Sequence, residues 1–119
     1  MTTEQKLDSI RELLDEMKAE QIETLDVSNK TVLADYFVIC TALNDRHVSA
    51  ISDKVSQAMR DRKSKPYRVE GDKTGWVLQD FGDIVLHIMR DEERQFYDLE
   101  SLWSATKKLQ STSSEDSPA

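Results

Sequence analysis

Cysteine, glycine, proline and long apolar runs are all scarce in this chain of 119 residues, and each scarcity excludes something. A single cysteine, Cys40, rules out an internal disulfide and a cysteine-based zinc site. It sits inside an apolar run, where a thiol behaves as a small inert hydrophobe, and a reducing, cytoplasmic setting is expected. Three glycines and two prolines leave little room for long irregular loops. No stretch approaches the ~20 apolar residues of a membrane span. The N-terminus, MTTEQKLDSI, has no basic region followed by an apolar core, so neither a signal peptide nor membrane association is expected. Positive charge is also in deficit, with 16 Lys and Arg against 23 acids, a net charge of −7. That balance argues against direct nucleic-acid readout, which needs a basic footprint. It suits a basic partner, with charge acting mainly on encounter rate and specificity.

What is present is periodic. Leu7, Ile10, Leu14 and Met17, widened by Leu13, draw one apolar stripe and predict a helix from about Thr3 to Glu20, with Thr3 as its N-cap. Ile22 to Val27 reads as a short strand. The run Asp35-Tyr-Phe-Val-Ile-Cys-Thr41 suits a central strand covered on both faces. Asn44 can cap a second helix, running to about Arg62, whose stripe is Val48, Ile51, Val55 and Met59. Its basic end, RDRKSK, has no interleaved aromatic and reads as a solvated terminus where the macrodipole favours cations, rather than an RNA patch. Pro66 stops that helix, and Tyr67 to Glu70 begins a third strand. After a turn cluster from Gly71 to Gly75, Trp76–Asp80 and Ile84–Met89 predict a hairpin around Phe81-Gly82. Asp91-Glu-Glu93 opens a last helix, on which Phe96, Leu99 and Trp103 share a core-facing side. The order α-β-β-α-β-β-β-α implies an α/β domain with a mixed sheet of about five strands and flanking helices. One domain over 1–105 and a disordered polar tail over 106–119 are expected.

Charge and aromatic mass concentrate between Glu70 and Trp103, where nine carboxylates face three basic residues and both tryptophans occur. A two-residue turn at Phe81-Gly82 would set Asp80 opposite Asp83, Leu78 opposite Val85 and Trp76 opposite His87. It would place Trp76, Leu78, Asp80, Asp83, Val85 and His87 on one face. Both faces of the hairpin are then largely apolar: either helices cover both, or one is left for a partner. Opposed aspartates repel, so they are either shoulders of a solvated turn or a pair aimed at a partner's basic group. His87 lacks a nearby nucleophile or metal-ligand spacing, which favours a packed strand histidine over a catalytic base. Tyr97, on the helix side carrying Glu93 and Glu100, has the character of an interface anchor. No cofactor or metal is expected.

Leu25-Asp-Val-Ser28, Ala34-Asp-Tyr-Phe-Val-Ile39, Arg46-His-Val48, Val69-Glu-Gly71, Trp76-Val-Leu-Gln-Asp80, Gly82-Asp83, His87, Arg94, Tyr97-Asp-Leu-Glu100 and Leu102-Trp103 together resemble the ribosomal silencing factor, or Iojap-like, family. The resemblance runs from the first helix to Trp103 with order and spacing kept. It implies a nucleotidyltransferase-like fold without the catalytic residues. It also implies binding to the large ribosomal subunit through its ribosomal protein fourteen, which blocks joining of the small subunit when nutrients are short. The family's contact positions fall on Trp76 and Tyr97, with Asp80, His87 and Glu100 as further motif positions. Ala42-Leu-Asn-Asp45 replaces the glycine-containing sequence usual before the Arg-His pair, and Asp80-Phe-Gly-Asp83 replaces Asp-Tyr-Gly-Asp. A nucleotidyltransferase is the competing reading, and it lacks a metal-binding carboxylate pair on a strand. A homodimer hiding the same apolar face is a third.

Overall fold

The computed structural model describes residues 1–71 and 75–97, apart from the Tyr97 side chain. Expectations for Leu99, Glu100, Trp103, the 1–105 domain limit and the 106–119 tail lie outside the described residues. The elements are α1 (Thr3–Glu16), β1 (Glu20–Asp26), β2 (Tyr36–Ala42), α2 (Asp45–Asp61), β3 (Arg68–Glu70), β4 (Trp76–Asp80), β5 (Ile84–Arg90) and α3 (Asp91–Tyr97). They build one five-stranded sheet in the order β1-β2-β5-β4-β3, parallel between β2 and β5 and antiparallel elsewhere.

The helices start where side chains satisfy their first amides. Thr2, not Thr3, caps α1: its hydroxyl accepts from Gln5 N at 3.1 Å, and Gln5 Oε1 accepts from Thr2 N at 2.9 Å. Gln5 can return that second bond, whereas Lys6, three residues after Thr3, has no acceptor. α1 also stops earlier than its periodicity suggests. Lys18 turns to φ 60°, and Ala19 N donates back to Leu14 O, which closes the helix and releases the chain into β1. α2 begins as expected, with Asn44 Oδ1 accepting from His47 N at 2.9 Å, and buries Val48, Ile51, Val55 and Met59. His47 clasps the two helices: Nδ1 accepts from Leu43 N at 2.9 Å, and Nε2 lies 2.7 Å from the carbonyl of Met17 at the α1 C-cap.

α1 and α2 cover one sheet face. Ile10, Leu13 and Leu14 with the α2 stripe meet Val38, Cys40, Val77, Leu86 and Ile88 in the main core. Burial pushes the Cys40 thiol up to about 12, so it is inert at neutral pH. The hairpin turns one residue later than expected. Phe81 N donates to Ile84 O at 2.8 Å and its ring is buried, which leaves Gly82, at φ 91°, and Asp83 in the turn. An aromatic in the turn would have stayed in water; shifting the register by two buries it and keeps every other side chain on its face. Leu78 therefore pairs with His87, Trp76 with Met89, and Asp80 with Val85 rather than with Asp83.

Candidate functional site

Alternation along the strands brings Trp76, Leu78 and Asp80 from β4 to the face opposite α1 and α2, with Val85, His87 and Met89 from β5. The parallel pairing of β2 with β5 sets Ile39 beside His87 and adds Phe37 to the same face. Among the described residues this face is only partly covered. At one end the segment after β1 folds Val27 and Ala34 onto Val85. At the other, α3 packs on β5 and β2. Between them Phe37, Leu78 and Trp76 are half-buried.

The strip has a firm floor. His87 is 4 % exposed and lies between two rings, its centroid 4.9 Å from Phe37 and 5.9 Å from Trp76. Its Nδ1 accepts from the indole Nε1–H of Trp76 at 3.1 Å, across the diagonal of the antiparallel pair. Burial pushes the imidazole down to about 4, so it is neutral at pH 7 with its proton on Nε2. A neutral histidine whose basic nitrogen is already occupied is not placed as a general base. It fixes the indole instead.

A cleft of roughly 240 Å³ lined by Glu70, Gly71, Trp76 and Leu78 opens beside this strip. Its size suits one long side chain, and Glu70, bonded to Arg68 at 3.0 Å, sets a carboxylate at its rim. Two larger open depressions lie along α1 and at the start of α2, away from the strip.

The two hairpin aspartates serve different elements. Asp80 accepts from Gly82 N at 2.8 Å and stands 3.5 Å from Arg68 Nη2. Asp83 accepts from Thr3 Oγ1 at 2.6 Å and Lys6 Nζ at 3.1 Å, tying the turn to the start of α1. Burial alone would raise the Asp83 pKa; those two hydrogen bonds and the Lys6 charge outweigh it and hold the carboxyl below its usual range. The repulsive pair expected from the sequence does not form.

At the far end, Arg94 turns inward and is buried, donating to Gln21 O and to Thr41 Oγ1. Gln21 sits in a bulge of β1 at φ 50°, which helps bring its carbonyl to the guanidinium. Phe96, expected in the core, is 80 % exposed instead. Two residues on a helix are ~200° apart, so an inward Arg94 forces Phe96 outward. Arg90 grips Glu93 through two bonds, at 3.1 and 2.8 Å, and holds the Glu93 carboxyl below its usual range. Asp45 and Glu92 lie within 3.4 and 3.6 Å of Arg90 as well.

Of the residues singled out in the sequence, Trp76 and His87 are thus in contact, and Asp80 ends the same strand about 13 Å away. Tyr97 is the last described residue of α3, and its side chain and Glu100 fall outside what the structure describes. Phe37 and Arg94 were not singled out as site residues. Alternation along β2 marks Phe37 only once β2 is known to lie beside β5, and a lone arginine among acids was the signal for Arg94. Among the described residues no three His, Cys, Asp or Glu side chains gather as a metal-ligand group.

Over residues 1–119 the sequence matches the family described as "Ribosomal silencing factor during starvation". It is 38% identical over 90 residues to the ribosomal silencing factor RsfS of Bacillus subtilis, covering 75% of this chain and 76% of that protein. The fold is similar to a crystal structure of a Chromobacterium violaceum protein, with a TM-score of 0.84 and 30% identity over 87% of this chain and 88% of that one. A crystal structure from Bacillus halodurans is similar at a TM-score of 0.76 and 31% identity, over 85% of this chain and 95% of that one.

Proposed function

The chain belongs to the ribosomal silencing factor family, and from that premise we propose that it represses translation, without catalysis, by occupying the large ribosomal subunit. In this reading it docks on ribosomal protein fourteen and its bulk prevents the small subunit from joining when nutrients are short. The cytoplasm, where subunits meet, is its place of action. The observation that carries the reading is the half-covered strip of Phe37, Leu78 and Trp76 over a buried His87, on the sheet face that α1 and α2 leave free.

The strip has what docking requires. Interfaces of standard size draw most of their energy from a few preorganised aromatic anchors. Trp76 is such an anchor, because its bond to His87 sets the ring orientation before binding and lowers the entropy lost on docking. Tyr97 and Glu100 are further proposed contacts, and Asp80 borders the strip at the hairpin. Off the ribosome, a second copy of the chain is the proposed occupant of the same strip. Transferase chemistry finds less support: in Asp91-Glu92-Glu93 the last carboxylate is bound by Arg90 and the first accepts from Gln95 at 2.8 Å.

Trp76→Ala is expected to weaken binding to isolated large subunits by about 2 kcal/mol, roughly thirtyfold, while the fold persists. Co-sedimentation on sucrose gradients with added small subunits reads both docking and exclusion. Unchanged co-sedimentation of the variant would place the docking face elsewhere.

A further inference from the structure

The chain's net charge of −7 conceals a strongly basic corner. Between Arg60 and Arg68 five cations stand against one acid, Asp61, a local charge of +4. Arg60, Arg62, Lys63 and Lys65 are exposed, and none forms an ion pair among the described residues, whereas Lys6, Arg68 and Arg90 do. Four neighbouring cations with no ion pair to any described acid concentrate a positive field at one end of the described fold.

The macrodipole of α2 explains part of this. It favours Arg60 and Arg62, but it fades within the last turn and does not reach Lys65 or Arg68. Nor does it explain Tyr67. That residue follows Pro66, lies between Lys65 and Arg68, and is 80 % exposed. Its backbone is fixed, since Tyr67 N donates to Asp80 O at 2.8 Å. Its ring edge occupies the space beside Gly82, where a Cβ would lie 2.8 Å from Cε2. The ring is thus braced by the hairpin on one edge and open elsewhere. The aromatic that the basic run lacks when read only to Lys65 comes two residues later.

We propose that this corner binds the phosphate backbone of RNA, with Arg60, Arg62, Lys63 and Lys65 against phosphates and Tyr67 as a stacking surface for a base. Phosphate contact with one stacked ring needs no base-edge readout, so it is compatible with an acidic chain that reads no sequence. Identifying the RNA as that of the large subunit rests on the function proposed above. The corner would then be a second foothold beside the Trp76 strip.

A triple variant, Arg62→Gln, Lys63→Gly and Lys65→Gln, removes three of the charges. Glycine suits position 63, because Lys63 sits at φ 61° after α2. Dissociation constants are measured from 50 to 200 mM KCl against three probes: intact large subunits, protein-free large-subunit RNA, and purified ribosomal protein fourteen. The variant should bind both RNA-containing probes more weakly, with a log–log salt slope shallower by about two. Its affinity for purified protein fourteen should be unchanged. Tyr67→Ala should lower affinity for both RNA-containing probes about tenfold with no change in slope. Equal salt slopes for wild type and triple variant on protein-free RNA overturn the proposal, as does loss confined to protein fourteen. If wild type ignores protein fourteen yet the variant loses RNA binding, the corner stands and the docking partner proposed above falls.

Discussion

With Nδ1 taken by the Trp76 indole and its ring closed in by Phe37, His87 has no ready place for a second proton. Its folded pKa, about 4, lies below the ordinary 6.5 of the unfolded chain. Between those values the unfolded state binds a proton that the folded state refuses. Stability is therefore complete above pH 6.5 and falls as the pH drops toward 4, by about 3 kcal/mol over the full interval. Urea unfolding at pH 7.5 and 4.5 should show the loss, and His87→Leu should flatten the profile over that interval. A variant as pH-sensitive as wild type would mean that other groups set the slope. Asp83 is separable, because its pKa is depressed from a carboxylate value: its contribution is present above about pH 4 and lost at lower pH.

The described part of α3, Asp91–Tyr97, depends on what fastens it to the sheet, because tertiary contacts rather than propensity supply most helical stability in proteins. Two guanidinium groups do so. Arg90 grips Glu93 at the start of the helix, and Arg94 reaches through to the β1 bulge and to Thr41. Arg94→Ala leaves the Gln21 carbonyl and the Thr41 hydroxyl without their buried donor, a cost of about 2–3 kcal/mol. Hydrogen exchange should show α3 losing protection while α1 and α2 keep theirs. Binding to large subunits should weaken with it, since Tyr97 rides on this helix. Unchanged exchange in α3 would show that residues other than Arg94 hold it. Arg94→Lys is a partial rescue at best, because an ammonium cannot reproduce the planar fork.

For the molecule as a whole, the two proposed occupants of the open strip differ in sign. Two copies of a chain carrying −7 repel, so salt that screens the charge should favour a dimer. A basic ribosomal protein is attracted, and salt should weaken that complex. Light scattering over a concentration series at 50 and 300 mM KCl is expected to show more dimer at the higher salt. Trp76→Ala should stay monomeric at both. A wild-type chain that is monomeric at high micromolar concentration in both buffers removes the dimer.

Much of this architecture is written locally. The α2 stripe, the Asn44 cap, the order of elements, the inert Cys40 and the two-faced character of β4 and β5 follow from spacings of a few residues. Short-range periodicity encodes them directly. The set of motifs matching the family was legible for the same reason. Which face stays open was not. That depends on β2 lying parallel to β5, which brings Phe37 to His87, and on α1 and α2 choosing the same side of the sheet. The position of the hairpin turn depended on burying Phe81, and the outward turn of Phe96 on the inward reach of Arg94 to β1 and β2. Even the fate of Asp83 was settled by Thr3, 80 residues away. The sequence alone determined the elements and their apolar sides. Contacts between distant segments decided which of those sides a partner can reach, because burial and register are properties of paired segments rather than of any one.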